Sequence, residues 1–333
     1  MIVWGYVGWN LLYKGVKEID NSSELLIKFG AFSLQRCKGK DVSQESLFRG
    51  WCLQWKHERE GMKKKILIFV FIILFLAAVS GVIWYFYMVK SREKQVEQLQ
   101  PENIAELSDD DSIPEGSLGY YIIDGVYVQE NLKDLYMKNS DTRGWIRIPG
   151  TKVDYPVMQS SLEDADFYLH RDFNKNYYFG GSIYASAESD TVFPSSNVIL
   201  YGHHMTDGSM FRQIMNFEDE SYYEKNKVIW YQTLDGLGKY EVIAAYRTST
   251  HDGDFKFWEY INPNKQEFDT YVEESREKTG YVPRESAEYG DKLISLVTCA
   301  YHTYNGKFVV VAKRVEYKGI DKTKEPIAVL NTK

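Results

Sequence analysis

Hydrophobic residues are distributed unevenly along the chain, and the densest run lies in its N-terminal third. Residues 66–89 (ILIFVFIILFLAAVSGVIWYFYMV) form 24 consecutive positions without a charge. At about 1.5 Å rise per residue, a helix of this length spans the roughly 30 Å hydrocarbon core of a bilayer. Trp84, Tyr85 and Tyr87 lie at its C-terminal end, where an interfacial aromatic belt is expected. We predict one transmembrane helix, with a buried core helix and a cleaved signal peptide as the alternatives.

Basic residues flank the apolar run on both sides, with more of them on its N-terminal side. Residues 43–65 contain six Lys and Arg, whereas residues 90–112 contain three. The positive-inside rule therefore predicts that the N-terminus stays inside the cell and that residues 90–333 lie outside. Because Met62 directly precedes three lysines and the apolar run, residues 1–61 are interpreted either as a mis-annotated start or as a small cytoplasmic extension.

A polar segment follows the apolar run. Residues 91–118 carry two prolines and an acidic run at 109–111, and this composition is typical of a solvated linker. The pattern therefore predicts a basic flank and anchor at 62–90, a stalk at 91–118, one folded domain at 119–319 and a tail at 320–333.

The folded domain is predicted to be rich in β-strands. Short runs of Val, Ile, Tyr and Trp recur between Gly, Asn, Asp and Pro, which is typical of strands and turns. These runs are 144–148, 153–158, 182–185, 197–201, 228–233, 239–247, 292–298 and 307–315. Eight strands favour a barrel or a sandwich. Apolar residues at helical spacing predict two helices, at 129–139 and 264–278.

Composition and charge narrow the class of protein. The chain has 333 residues, of which 44% are hydrophobic and 26% charged, as expected of a globular protein. The net charge of −7 gives no reason to expect a nucleic-acid partner. Three cysteines are too few for a disulfide framework.

Cys299 stands at the end of an apolar strand, in the run LISLVTC (293–299), and is the one cysteine C-terminal to the apolar run. The polar loop AYHTYNG follows it, so its side chain is expected to reach solvent from a rigid base. A thiol becomes a nucleophile where a neighbouring base or cation stabilises its thiolate. The alternative is a buried, inert cysteine.

His203 and His204 follow another apolar strand, NVILY (197–201), after Gly202. A histidine exchanges protons near neutral pH and so suits general acid–base chemistry. A surface histidine pair and a metal site are the alternatives. Adjacent side chains diverge on an extended chain, and no Cys-x-x-Cys or Glu-x-x-His accompanies the pair, which argues against a metal.

These motifs together resemble the class B sortases. The blocks that carry the resemblance are GWIRIPGTKVDYPVMQ (144–159), YLHRDFNKNYYFGGSIY (168–184), YGHHMTDGSMF (201–211), SLVTC (295–299) and KFVVVAK (307–313). They cover the predicted outer domain in order, and Ser295 stands where the family has Thr in its Thr-Leu-x-Thr-Cys motif.

The resemblance implies a closed eight-stranded sortase β-barrel with a few peripheral helices, preceded by one transmembrane helix. It implies a membrane-anchored cysteine transpeptidase of Gram-positive bacteria with no metal and no cofactor. Such an enzyme cleaves a C-terminal sorting signal of a secreted protein, either Asn-Pro-Gln-Thr-Asn-like or Pro-x-Thr-Gly-like. It holds the product as a thioester and passes it to an amine of the peptidoglycan or its precursor.

By the same resemblance, Cys299 is the nucleophile and His203 the general acid or base. His204 falls at a variable position, and His302 is interpreted as a loop residue near the site. The family's arginine, at the start of the last strand, is replaced by Lys307. Arg314 is the competing cation, but on a strand it would lie about 23 Å from Lys307 and on the opposite face. We expect Lys307 to hold the substrate carbonyl or the oxyanion.

The lysine leaves other functions open. A lysine is a point donor without the planar fork of arginine, so catalytic competence is not guaranteed by the motif. The alternatives are a hydrolase on the same fold that uses water in place of an amine, and a catalytically weak surface protein that binds sorting peptides.

Overall fold

The structure is a computed structural model that describes residues 42–114, 118–191, 194–251, 253–301 and 303–332, with side chains from residue 61 onward. Most of the predicted extension 1–61 and His302 lie outside the residues described in this way. The chain divides into two compact units, Met1–Tyr87 and Met88–Lys333.

Helix α1 (Val42–Glu97) contains the apolar run. Its stretch Gly61–Glu97 is long and apolar enough to cross a membrane, judged by length and composition. The apolar side chains between residues 62 and 87 are exposed, as the lipid-facing residues of a membrane helix would be. The predicted apolar helix is therefore present and is a candidate for a membrane span.

Eight strands of the second unit close into a barrel, as predicted, and the sandwich alternative is excluded. The strands are β3 (Thr142–Arg147), β4 (Asp154–Met158), β5 (Ile183–Ala185), β6 (Asn197–Tyr201), β7 (Val228–Thr233), β8 (Gly236–Ser249), β9 (Leu293–Cys299) and β10 (Gly306–Gly319). Their order around the barrel is β10-β8-β7-β3-β4-β5-β6-β9. The final neighbour pair, β9 with β10, is antiparallel and closes the ring.

A separate three-stranded sheet was not predicted from the sequence. It consists of β1 (Tyr120–Ile123), β2 (Val126–Gln129) and β11 (Ala328–Leu330), in the order β11-β1-β2. Asp124 and Gly125 join β1 to β2, and both have positive φ, at 49° and 83°. Asp-Gly is a strong signal for a two-residue hairpin turn, so the first two strands could have been found. The third strand pairs in parallel with β1 from the far end of the chain.

Four shorter helices lie in the second unit: α2 (Glu102–Ala105), α3 (Lys133–Lys138), α4 (Glu220–Asn226) and α5 (Lys265–Glu277). Helices α3 and α5 fall within the two predicted helical segments. Asn264 caps α5, because its side chain accepts from the Glu267 amide while the Glu267 carboxylate accepts from the Asn264 amide. Five 3-10 helices complete the described secondary structure: Glu130–Leu132, Leu162–Asp164, Phe167–His170, Phe211–Glu218 and Phe257–Glu259.

Alternation along the strands separates an inner core from an outer one. Leu296 and Phe308 belong to the cluster inside the barrel, whereas Val297 and Val309 belong to a cluster on its outer face. Helix α5 covers that outer face with Tyr271 and neighbouring apolar side chains. Successive side chains of a strand point to opposite faces, so the two clusters follow directly from the sequence of β9 and β10.

The segment predicted as a polar linker supplies three buried side chains, Ile104, Leu107 and Ile113, which pack in a third apolar cluster with Trp230. The Trp230 indole also donates to the Ser108 carbonyl at 3.1 Å. This segment therefore packs against the folded domain through three apolar side chains, although its composition is largely polar.

A buried polar chain ties β6, β9 and α5 together. The Ser295 hydroxyl donates to Asn197 Oδ1 at 2.8 Å and lies 2.7 Å from the Tyr271 hydroxyl. Burial raises the pKa of Tyr271 to about 12, so its hydroxyl stays neutral and can donate to Ser295. Ser295, which stands where the class B sortases have threonine, therefore keeps the hydroxyl group that forms these buried hydrogen bonds.

We predict that Ser295→Ala destabilises the fold by about 1–3 kcal/mol, because it removes the donor to the buried Asn197 Oδ1 and one of the hydrogen-bond partners of Tyr271. For a domain of this size, each kcal/mol lowers the melting temperature by about 2–4 °C. Thermal unfolding measures the effect, with Ser140→Ala, at an exposed position, as the matched control. Equal melting temperatures for the two variants would contradict the prediction.

Candidate active site

Cys299 is the last residue of β9, and the register of β9 with β10 sets Lys307 directly opposite it. The Lys307 ammonium lies 3.4 Å from the Cys299 sulfur, and both residues are half-buried. Cys299 is a free thiol. A positive charge in contact with sulfur stabilises the thiolate form, which is the reactive form of a cysteine.

His203 reaches the same place from the neighbouring strand. Strand β6 pairs in parallel with β9, from Asn197 opposite Leu293 to Tyr201 opposite Val297. The Gly202 amide continues this ladder by donating to the Val297 carbonyl at 3.1 Å. Two residues beyond the last pair, the register therefore sets His203 beside Cys299.

Gly202 lets the chain make this approach. A Cβ atom at position 202 would lie 2.5 Å from the Ile183 side chain and 2.7 Å from Phe211, both of them core residues of the barrel. A side chain does not fit there without displacing the core. Because position 202 faces inward, the next residue, His203, faces outward, on the side of the sheet that Cys299 and Lys307 share.

The ring of His203 is held by residues of one preceding segment. His203 Nε2 lies 2.8 Å from the Leu169 carbonyl oxygen. A carbonyl can only accept, so Nε2 carries a proton and Nδ1 keeps the free lone pair of the neutral ring. His170 stacks on the ring with centroids 5.2 Å apart, and Phe179 stacks at 6.2 Å.

Burial lowers the pKa of His203 below that of an ordinary histidine. The hydrogen bond to Leu169 opposes this change, whereas the nearby positive charge of Lys307 and the neighbouring His170 add to it. The imidazole is consequently neutral at neutral pH and available to accept a proton through Nδ1.

His204 has a different environment from His203, as expected of neighbouring side chains on an extended chain. Its ring packs edge-on against Tyr301 at 5.2 Å, and its Nδ1 is buried without a hydrogen-bond partner in the described part of the chain. Burial lowers the pKa of His204 as well. The two rings thus have no partner in common among these contacts.

Arg314 lies away from this group. The ladder between β9 and β10 runs from Lys307 opposite Cys299 to Lys313 opposite Leu293, and Arg314 follows its far end. Its guanidinium lies 4.2 Å from the centroid of the Tyr317 ring. The structure thus brings Cys299, His203 and Lys307 to one end of the strands and leaves Arg314 at the other.

Sequence reasoning missed the three residues that hold the His203 ring: Leu169, His170 and Phe179. All three lie in the block 168–184, which was noted as a motif without a role for its residues. Their contribution depends on a carbonyl and on ring stacking, and neither leaves a distinctive pattern in a single sequence.

The arrangement suits covalent catalysis by a thiol. It combines a thiol, a neutral imidazole just beyond the end of the neighbouring strand and an ammonium beside the sulfur, which are the groups that such a reaction needs. Among the residues that the structure describes, no group of three or more His, Cys, Asp or Glu side chains could hold a metal ion.

Comparison with known proteins points to one family. Residues 146–315 match the family profile described as Sortase domain. The chain is 33% identical over 174 residues to Sortase B of Listeria monocytogenes, a match that covers 52% of this chain and 68% of that protein.

Solved structures with the same name are also similar. Sortase B from B. anthracis superposes with a TM-score of 0.55 at 28% identity, over 69% of this chain and 99% of that one. A Staphylococcus aureus sortase B–substrate complex gives a TM-score of 0.52 at 30% identity, over 57% of this chain and 86% of that one.

Proposed function

The chain belongs to the sortase family, in class B, and is a cysteine transpeptidase, and from this premise we propose that Cys299, His203 and Lys307 carry its reaction. The substrate is a secreted protein with a C-terminal sorting signal, and the acceptor is an amine of the cell-wall peptidoglycan or its precursor. The observation that carries the assignment is the 3.4 Å contact between Lys307 Nζ and the Cys299 sulfur.

In the first half-reaction, the Cys299 sulfur attacks the scissile carbonyl carbon and its proton passes to His203 Nδ1. The carbonyl oxygen becomes an oxyanion, and the intermediate collapses to a thioester as the C–N bond breaks. The leaving amine takes the proton back from His203. The thioester thus forms with no net change in the protonation of the site.

In the second half-reaction, the acceptor amine attacks the thioester carbon and gives a proton to His203. The C–S bond breaks, and the proton returns to sulfur to restore the thiol. The hydrogen bond from Nε2 to the Leu169 carbonyl supports this cycle, because it keeps Nδ1 as the nitrogen that exchanges the proton.

Lys307 has two successive partners in this scheme. As the thiol proton leaves during the attack, its ammonium stabilises the negative charge that develops on the sulfur that it contacts. Once sulfur has bonded to carbon, that charge moves to the carbonyl oxygen, and the same ammonium can donate to it. A lysine offers one flexible donor direction at a time, whereas an arginine could contact sulfur and oxygen together.

The substrate proposal rests on the family and on one solved relative. The S. aureus relative has been solved as a sortase B–substrate complex. We propose that this chain takes a sorting signal of the Asn-Pro-Gln-Thr-Asn type or the Pro-x-Thr-Gly type. Four exposed aromatic side chains on the loops around the site, Tyr177, Phe179, Tyr301 and Tyr304, supply apolar surface for such a peptide.

The proposed organisation follows the order of segments in the chain. Residues 62–90 form the basic flank and a single membrane anchor with the N-terminus inside, and residues 91–118 connect it to the catalytic domain at 119–319. The tail 320–333 follows, and translation begins at Met62 or residues 1–61 form a cytoplasmic extension. The domain then lies on the extracellular face, where secreted proteins and peptidoglycan are found.

We expect Cys299→Ala to abolish thioester formation and cleavage of Asn-Pro-Gln-Thr-Asn and Pro-x-Thr-Gly peptides, since it removes the nucleophile. Mass spectrometry of the full-length protein in detergent detects the thioester, and chromatography measures peptide cleavage with and without an added amine. Cys52→Ala serves as the matched control and should retain turnover. Substantial cleavage by Cys299→Ala would exclude the proposed mechanism, and cleavage by the wild type without amine transfer would favour the hydrolase.

His203→Ala should lower kcat by about 10²–10⁴, the usual contribution of a general acid or base. His204→Ala should cost less than about tenfold, because the His204 ring packs against Tyr301 away from the contacts of His203. Steady-state cleavage of the same peptide compares the two variants, with melting temperatures as the folding control. A larger loss at position 204 would show that the wrong histidine had been assigned.

Lys307→Ala should lower turnover by about 10², the usual cost of one oxyanion donor. Lys307→Arg should be at least as active as wild type, because it supplies the planar donor. Arg314→Ala, at the far end of the same strand, is the matched control and should act through stability alone. A folded Arg314→Ala without activity, beside an active Lys307→Ala, would reverse the assignment of the cation.

A further inference from the structure

Arg92 forms an unusually well-covered ion pair. It lies three residues after the apolar run 66–89, near the end of helix α1, and its guanidinium contacts Asp172 at 2.7 Å. The two side chains are 18% and 17% exposed, whereas those of the Arg284–Glu224 pair are 64% and 39% exposed. The guanidinium also lies 4.0 Å from the centroid of the Tyr178 ring. A pair so shielded from water is screened less than a surface pair.

Asp172 and Tyr178 belong to one compact loop, residues 170–181, which we call the His203 loop. The Asp172 carboxylate accepts from the amides of Asn174 and Asn176, and the Tyr178 amide donates to the His170 carbonyl at 2.9 Å. These bonds lie within the loop and fix its shape. A contact that fixes Asp172 and Tyr178 therefore fixes the whole loop.

The opposite side of the His203 loop contacts the proposed general acid or base. His170 and Phe179 of the loop stack on the His203 ring. Leu169, directly before the loop, accepts the hydrogen bond from His203 Nε2. The described contacts that orient this ring thus come from the loop and its first flanking residue.

We propose that Arg92 is a positioning residue: by clamping Asp172 and Tyr178, it holds the His203 loop in the arrangement that orients the His203 imidazole toward Cys299. The proposal rests on the proposed role of His203. Arg92 contacts neither the sulfur nor the imidazole, so it acts through the loop. On this proposal, catalysis depends on a residue of the segment that directly follows the predicted membrane anchor.

The test uses the full-length protein in detergent with the sorting peptide that it cleaves best. Arg92→Ala should lower kcat about ten- to a hundredfold with little change in KM or melting temperature, because a small displacement of a reacting group carries a cost of this order. Asp172→Asn, which removes the charge from the other partner, should give a similar loss. Arg92→Lys should recover part of the activity, since it keeps the charge but loses the planar stack on Tyr178.

Arg284→Ala is the matched control, because it removes an exposed arginine ion pair far from the His203 loop in the chain, and its kcat should equal that of wild type. The decisive comparison repeats Arg92→Ala in the His203→Ala background. If Arg92 acts through His203, the second substitution should add no further loss there.

Two results would overturn the inference while the proposed function stands. One is an unchanged kcat in Arg92→Ala, or in Asp172→Asn if Arg92→Ala does not fold, beside a large loss in His203→Ala. The other is an equal loss from Arg92→Ala with and without His203. By contrast, full activity of His203→Ala itself would refute the proposed function.

Discussion

The parallel ladder between β6 and β9 is the constraint on which the site depends. It joins the two strands that end in Gly202-His203 and in Cys299, and it does so residue by residue from Asn197 opposite Leu293 onward. A shift of one residue in this register would turn His203 or Cys299 to the other face of the sheet. The buried bond from Ser295 to Asn197 lies across this ladder and links its two strands.

The chemistry of the site follows from where this ladder ends. Cys299 lies at the rim of the barrel, close enough to solvent for a peptide to reach it, while the strand behind it is fully buried. Lys307 comes from the antiparallel neighbour β10, and His203 follows the end of the parallel neighbour β6. Three adjacent strands thus supply three side chains to one outer face. The barrel supplies rigidity, which loops alone would not.

Much of this could be predicted from the sequence because it depends on local patterns. The runs around Val198 and Leu296 are apolar and end in polar loops, so the strands and the candidate site residues at their ends could be predicted. The family motif predicted that Lys307 lies beside the Cys299 thiol. In the structure the two residues are paired across β9 and β10, and the ammonium lies 3.4 Å from the sulfur. The Asp124-Gly125 turn is a clear hairpin signal, but the hairpin precedes the eight predicted strands, the first of which begins at residue 144.

Other features could not be predicted, because they depend on pairs that are distant in the chain. Arg92 reads as one of several basic residues after an apolar run, and its partner Asp172 is 80 positions away. The Leu169 carbonyl has no side-chain identity for a pattern to detect. Strand β11 has three residues, and it forms because β1 offers it an edge.

The strands β6 and β9 are far apart in the sequence, and this separation affects how the site forms during folding. Asn197 and Ser295 are 98 positions apart, so their contact closes a very long loop, and such contacts form slowly during folding. Until that loop closes, Cys299 and His203 are not held next to one another. The cluster of thiol, imidazole and ammonium therefore forms only together with the completed barrel, and under the proposed mechanism a partly folded chain lacks the groups that would activate its thiol.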